Sequence, residues 1–137
     1  MKEIEKIKKA KVLIVGDIML DTYYIGTVNR ISPEAPVPIF NLKETNSNLG
    51  GAANVASNVA TLGASSTIIG CLGNDDNGRI LKSLLTSTGI HDETITSNKI
   101  KTITKTRLVN SQQQLIRFDI EKNFDQELSQ EIFEKFK

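Results

Sequence analysis

The chain has 137 residues, enough for one domain with a buried core, and its 39% hydrophobic and 24% charged residues place it among globular proteins. Seventeen Lys and Arg against sixteen Asp and Glu leave a net charge of +1, which gives no reason to expect a nucleic acid or an anionic membrane as partner. The single cysteine, Cys71, excludes an internal disulfide and lies within an apolar run, as a small core residue of a reducing compartment would.

Residues 2 to 10 read as a short charged helix or arm with Ile4 and Ile7 on one side. Lys6, Lys8, Lys9 and Lys11 ahead of Val12 to Val15 imitate a secretory leader. Asp17 and Asp21 interrupt the apolar stretch, and no small-residue cleavage pattern follows, so a cytoplasmic protein is expected. No apolar run approaches the length of a membrane span.

Lys11 to Val15 is a β-branched run ending in Gly16-Asp17, which predicts a buried central strand of an α/β sheet. Ligands of open α/β sheets bind at the carboxyl ends of such strands, where Asp17 and Asp21 stand. Asp17 serves equally well as a turn or capping residue. Asp21 closes the apolar run Ile18-Met19-Leu20, and an acid there carries a desolvation cost unless it is partnered. It is the stronger binding candidate. Tyr23, Ile25 and Val28 predict a strand broken by Gly26. Pro33, Pro36 and Pro38 then impose an extended edge segment, which continues through Ile39 to Leu42 and gives way to a polar loop, Glu44 to Asn48.

Gly50-Gly51-Ala52-Ala53-Asn54-Val55-Ala56 is the stretch around which the chain is organised. Paired glycines let the backbone approach a ligand, and the small residues after them start a helix whose free N–H groups face the same way. The helix is expected over Asn54 to Leu62, with Ala52, Val55, Ala56, Val59 and Leu62 inward and Gly63 just past its end. Asn54 offers donors and acceptors, which suits a hydroxyl-bearing substrate. A tight turn into a packed helix would use the same residues, and spacing alone does not separate the two readings.

Ser66 to Gly73 predicts a second buried strand, completing a βαβ unit. Asp75 or Asp76 can cap a helix carrying Ile80, Leu81, Leu84 and Leu85 that ends at Gly89. His91 falls in a polar loop without a second histidine or a cysteine nearby, so a metal site there is not expected. Residues 102 to 120 alternate at period two about the turn Asn110 to Gln114, an antiparallel hairpin with one wet face. Lys105, Arg107 and Arg117 on it are candidates to reach a substrate phosphate, although for any single one of them a solvated strand face is the favoured reading. Asp125 opens a last helix with Leu128, Ile132, Phe133 and Phe136 on one face. Two buried strands do not complete a doubly wound sheet, so a longer parent domain is expected. The P-loop, G-x-G-x-x-G, G-x-S-x-G and H-E-x-x-H patterns are absent.

Gly50 to Ala56, then Gly63 and Gly73, resembles the first signature of the ribokinase-like sugar kinases, also called the phosphofructokinase-B family, at every position across that span. The strand ending Gly16-Asp17-Ile18-Met19-Leu20-Asp21 precedes it as in that family. Arg30 to Pro38, Thr104 to Arg107 and Gln113 to Arg117 are similar to the heptose 7-phosphate kinase domains within it, which many bacteria join to an adenylyltransferase. The likeness runs from Lys11 to Glu121.

The resemblance implies an α/β fold, the N-terminal part of a Rossmann-type three-layer sandwich with a small antiparallel β lid formed by residues 22–45 and 102–120. It implies a small-molecule sugar phosphate as substrate, with Asp21, Gly50, Gly51 and Asn54 at the sugar, and ATP with Mg²⁺ as cofactors. A homodimer formed through the lid is also implied. The family's second signature, with its general base and adenine site, would lie past residue 137. The rival readings are another sugar kinase of the family and a non-catalytic sugar-binding or dimerisation module.

Overall fold

The computed structural model describes residues 2–111, 113–121 and 126–136. A short helix, α1 (Lys2–Ile7), precedes β1 (Lys11–Val15). Two long strands follow, β2 (Ile18–Ile31) and β3 (Pro38–Gly51), and then α2 (Ala52–Thr61). Next come β4 (Ser65–Ile69), β5 (Cys71–Gly73), α3 (Asp76–Ser87), β6 (His91–Asp92) and β7 (Ile95–Ser97). The described chain closes with β8 (Ile103–Asn110), β9 (Gln113–Ile120) and α4 (Gln126–Phe136).

Among the described residues the strands form three sheets. The first is parallel, in the order β1-β4-β6, with Val12 opposite Ser66 and Ile14 opposite Ile68. The second is four-stranded, β3-β2-β8-β9, and the third pairs β5 with β7. In the second sheet the outer pairs are antiparallel, whereas the central β2–β8 pair is parallel. The sheet expected to be antiparallel is therefore mixed.

The main core gathers Ile18, Leu20, Ala53, Ala56, Ile68, Leu72, Leu81, Leu85 and Ile90. It lies where the root of β2 meets α2, α3 and the parallel sheet. A second cluster joins Cys71, Ile95, Ile100 and Leu128, with Ile132 against it, and so ties α4 to the body. Asp75 is the N-cap of α3. Its Oδ1 accepts from Gly78 N at 2.9 Å and from Thr102 Oγ1 at 2.7 Å, while its Oδ2 accepts from Thr102 N at 2.9 Å. One carboxylate thus anchors a helix and the entry to β8.

Several expectations need correction. β1 is an edge strand among the described residues, with Leu13 and Val15 nearly half exposed, because only β4 pairs with it. Gly26 does not break β2: the strand runs on through a register shift between Ile25 and Gly26, where a bulge absorbs the irregularity. The polar stretch Glu44 to Asn48 is not a loop but the middle of β3, held by its ladder to β2 despite having no apolar alternation. Ser66 to Gly73 divides at Gly70 into β4 and β5, which join different sheets. α2 starts earlier than expected, and its inner face is the expected one only in part: Ala56 is buried and Ala52 packs against the core, Ala53 joins them, and Val55 and Leu62 are exposed. Alanines let α2 pack close to the sheet, which leaves the bulkier Val55 and Leu62 outside. His91 belongs to β6. Asp125, expected to begin the last helix, lies outside the described residues, as does Gln112 of the hairpin turn.

Candidate functional site

The site grows from the junction of β2, β3 and α2. In the antiparallel register Asp21 stands opposite Asn48, Met19 opposite Gly50 and Ile18 opposite Gly51. Directly opposed residues project to the same face of a sheet, so Asp21 and Asn48 look into one space. A cleft of about 420 Å³ opens there, lined by Asp21, Tyr23, Asn48, Leu49, Asn54, Ser57, Leu84 and Thr88. Its polar groups come from two β-strands, the first turns of α2 and Thr88 at the end of α3, with Leu49 and Leu84 as its apolar lining.

The paired glycines are required by sterics. A Cβ on Gly50 would stand 2.5 Å from Asp21 Oδ2 and 2.8 Å from Met19 Cγ. Gly51 takes φ 57°, the left-handed region, and a Cβ there would collide with the Asp17 carbonyl. Gly51 is also the N-cap of α2 and supplies no side-chain cap. The Ala52 N–H donates to the Asp17 carbonyl oxygen at 2.9 Å, which fixes the direction of α2 and brings Asn54 to the cleft.

Asp21 does not face the cleft alone. Arg107 Nη1 donates to Asp21 Oδ1 at 2.6 Å, and both side chains are about four-fifths buried. The Arg107 guanidinium carbon also lies 5.1 Å from the centroid of the Tyr23 ring, a cation–π geometry. The hydrogen bond that Arg107 donates to Asp21 raises the Arg107 pKa; burial lowers it, and electrostatic interaction with Asp21, Tyr23 and Asp119 raises it further. Arg107 is thus a fixed cation held at the edge of a polar cleft.

The sequence candidates divide into two groups in space. Asp21 and Asn54 line the cleft, Gly50 and Gly51 form the turn behind it, and Arg107 reaches it through Asp21. Asp17 is exposed and borders a smaller, mainly apolar hollow with Val15, Gly16, Gly70, Ser129 and Ile132. Lys105 pairs with Glu121 at 3.2 Å and lies 4.0 Å from Asp119, and Arg117 Nε is 3.1 Å from Asp119. Those two cations lie on the same sheet as Arg107, with Arg117 directly across from it, but they contact other carboxylates. Tyr23, Asn48, Ser57 and Thr88 were not singled out from sequence. Period-two alternation from Asp21 points to Tyr23; Asn48 is found only once Glu44 to Gly51 is known to be strand.

Among the described residues, no three His, Cys, Asp or Glu side chains gather as a metal site, and no helix is long and apolar enough to cross a membrane. The cleft is walled by one carboxylate, two amides and three hydroxyls, those of Tyr23, Ser57 and Thr88, at the root of the sheet that carries β2 and β3.

Residues 9–137 match the pfkB family carbohydrate kinase profile, and the chain belongs to that family. It is 48% identical over 119 residues to the bifunctional protein HldE of Haemophilus ducreyi, covering 87% of this chain and 25% of that protein. It is 45% identical over 119 residues to the D-beta-D-heptose 7-phosphate kinase of Bordetella bronchiseptica, covering 87% of this chain and 38% of the relative. The fold matches the phosphofructokinase-2 of Escherichia coli in complex with fructose-6-phosphate, with a TM-score of 0.70 at 23% identity, over 93% of this chain and 40% of that one. The chain therefore spans between a quarter and two-fifths of the length of these relatives.

Proposed function

We propose that these 137 residues are the sugar-binding part of a kinase that transfers the ATP γ-phosphoryl group to the anomeric hydroxyl of D-glycero-β-D-manno-heptose 7-phosphate, on the route to ADP-heptose and lipopolysaccharide. One juxtaposition carries the reading: the Asp21 carboxylate in a cleft walled by Asn48 and Asn54, with the Arg107 guanidinium 2.6 Å from it. Hydroxyls of a sugar donate to Asp21 and exchange hydrogen bonds with Asn54, while Gly50 and Gly51 let the ring approach the backbone. Arg107 is the cation best placed for the 7-phosphate, and Lys105 and Arg117 extend the basic strip beyond it.

The sheet β3-β2-β8-β9 acts as a lid over the sugar in this reading. Phosphoryl transfer rests on positioning and on closure that excludes water, which is what this part of the protein supplies. ATP and Mg²⁺ supply the phosphoryl group and its charge neutralisation; their sites and the general base are assigned to the part of the longer kinase beyond residue 137. A cytoplasmic location fits substrates of this kind. The exposed Ile116, Phe118 and Ile120, at alternate positions on β9, fit a lid-to-lid homodimer.

The test is to read the encoding DNA past Lys137 and to assay the complete kinase for ATP-dependent phosphorylation of heptose 7-phosphate against ribose, fructose and fructose 6-phosphate. Phosphorus NMR should find a new anomeric phosphate on the heptose. A preference for any of the competing sugars would overturn the assignment.

A further inference from the structure

Arg107 Nη1 donates to Asp21 Oδ1, and both groups are needed elsewhere if the cleft takes a sugar phosphate. Their contact is 2.6 Å, with 22% of the Asp21 side chain and 18% of the Arg107 side chain exposed. The pair is therefore partly desolvated. Separating it leaves two charges in a site where water compensates them poorly. A neutral sugar that donates hydrogen bonds to Asp21 competes with Arg107 for that carboxylate and offers the cation no negative charge in return. A phosphorylated sugar brings a replacement anion of nearly two charges with three acceptor oxygens.

Neighbouring groups favour Arg107 as the residue that changes partner. Lys105 is held by Asp119 and Glu121, and Arg117 by Asp119, so the acidic side chains of β9 and its end are already engaged. Arg117 stands directly opposite Arg107 in the β8–β9 register and adds positive potential beside it. Tyr23, opposite Arg107 in the β2–β8 register and itself lining the cleft, gives the guanidinium a ring to rest on while its hydrogen bonds are redirected.

Resting on the reading of this cleft as a sugar phosphate site, we propose that the Asp21–Arg107 pair is a selectivity lock, in which a phosphate engages Arg107 and thereby releases Asp21 to bind sugar hydroxyls. Phosphate recognition and hydroxyl recognition are then positively coupled, and the coupling is reciprocal. The lock discriminates against unphosphorylated sugars by leaving them to break an ion pair without compensation.

The experiment is calorimetric titration of the chain with heptose 7-phosphate and with unphosphorylated heptose, the latter with and without inorganic phosphate, for the wild type and Arg107→Gln. Circular dichroism first establishes that both are folded. The lock predicts that saturating inorganic phosphate tightens binding of unphosphorylated heptose to the wild type by about tenfold. It also predicts that Arg107→Gln weakens heptose 7-phosphate by at least about tenfold while tightening unphosphorylated heptose, with inorganic phosphate then without effect. If the wild type binds heptose 7-phosphate but phosphate leaves heptose affinity unchanged, the lock is wrong and the site stands; that arm does not depend on the variant folding. Equal weakening of both sugars by Arg107→Gln makes the pair merely structural. Failure of the folded wild type to bind either sugar overturns the site and the lock together.

Discussion

Arg107 reaches Asp21 diagonally across the β2–β8 boundary: the register sets Asp21 opposite Lys105 and Arg107 opposite Tyr23, yet Arg107 Nη1 closes on Asp21 Oδ1 at 2.6 Å. The two residues are 86 positions apart in the chain, and only the parallel pairing of β2 with β8 brings them together. A charge at the cleft is thereby joined to the basic strip of the β8–β9 hairpin. Replacing Asp21 by Asn keeps its size and removes that charge. Heptose 7-phosphate affinity should fall by more than about tenfold with secondary structure intact, the cost of a lost charged contact being on the order of 1–3 kcal/mol. Titration calorimetry and circular dichroism check both parts; an unchanged affinity would remove Asp21 from the site.

Asn54 is exposed on the first turn of α2 and lines the cleft, so its side chain contributes little to packing. Asn54→Ala should leave the thermal midpoint within about 1–2 °C, as surface substitutions do, and weaken the sugar by about tenfold. A large loss of stability with unchanged binding would assign Asn54 to the fold instead.

Gly50 is buried with Asp21 and Met19 pressed against it. Gly50→Ala forces one of them to move and should destabilise the chain by about 1–3 kcal/mol, the usual cost of overpacking. Because Asp21 is the nearer neighbour, sugar affinity should fall as well. Urea unfolding gives the first quantity and titration the second; a variant as stable as the wild type with full affinity would show that the turn has room to spare.

Asp75 gives a pH dependence. Burial raises its pKa, but hydrogen bonds from the Thr102 N–H, the Thr102 hydroxyl and the Gly78 N–H, with the nearby Lys101 charge, outweigh that and hold it below the usual carboxylate value. Its stabilisation is therefore full above the unfolded pKa of about 3.9 and is lost as the pH falls through the lower folded value. Asp75→Ala should cost about 0.5–2 kcal/mol at neutral pH, as loss of a helix cap does, and should flatten the acid limb of the stability curve. Chemical unfolding from pH 2 to 7 tests this; parallel curves for the two proteins would contradict it.

On β9, Ile116 is 53% and Phe118 46% exposed, side by side on one face of an edge strand. Changing both to Ser should shift the chain from dimer to monomer in sedimentation velocity without unfolding it, if the lid is the dimer contact. Identical sedimentation of variant and wild type would remove that surface from self-association.

Much of this arrangement was legible in the residues. The apolar periodicity of α3, a cap at Asp75 or Asp76, its end at Gly89, and the β8–β9 hairpin all follow from local pattern, and the structure has them with Asp75 as the cap. Local signals failed where tertiary pairing overrides them. Glu44 to Asn48 carries no strand pattern, yet its backbone is paired along β2. The inward face of α2 is made of alanines, whose burial depends on how closely a helix can approach a sheet, and that distance is not written in the helix itself. For the same reason Asp21 and Asn54 could be singled out from sequence, whereas Asn48 and the Asp21–Arg107 pair could not: the first two sit beside recognisable turns, and the others depend on register.

The central claim is that this segment carries a sugar phosphate site at the β2–α2 junction. The most direct measurement is titration of the folded wild-type chain with heptose 7-phosphate, followed by the same titration of Asn54→Ala. A single site that saturates in the wild type and weakens about tenfold in the variant is the predicted result. No heat of binding to the folded wild-type chain, or binding indifferent to Asn54, would contradict it.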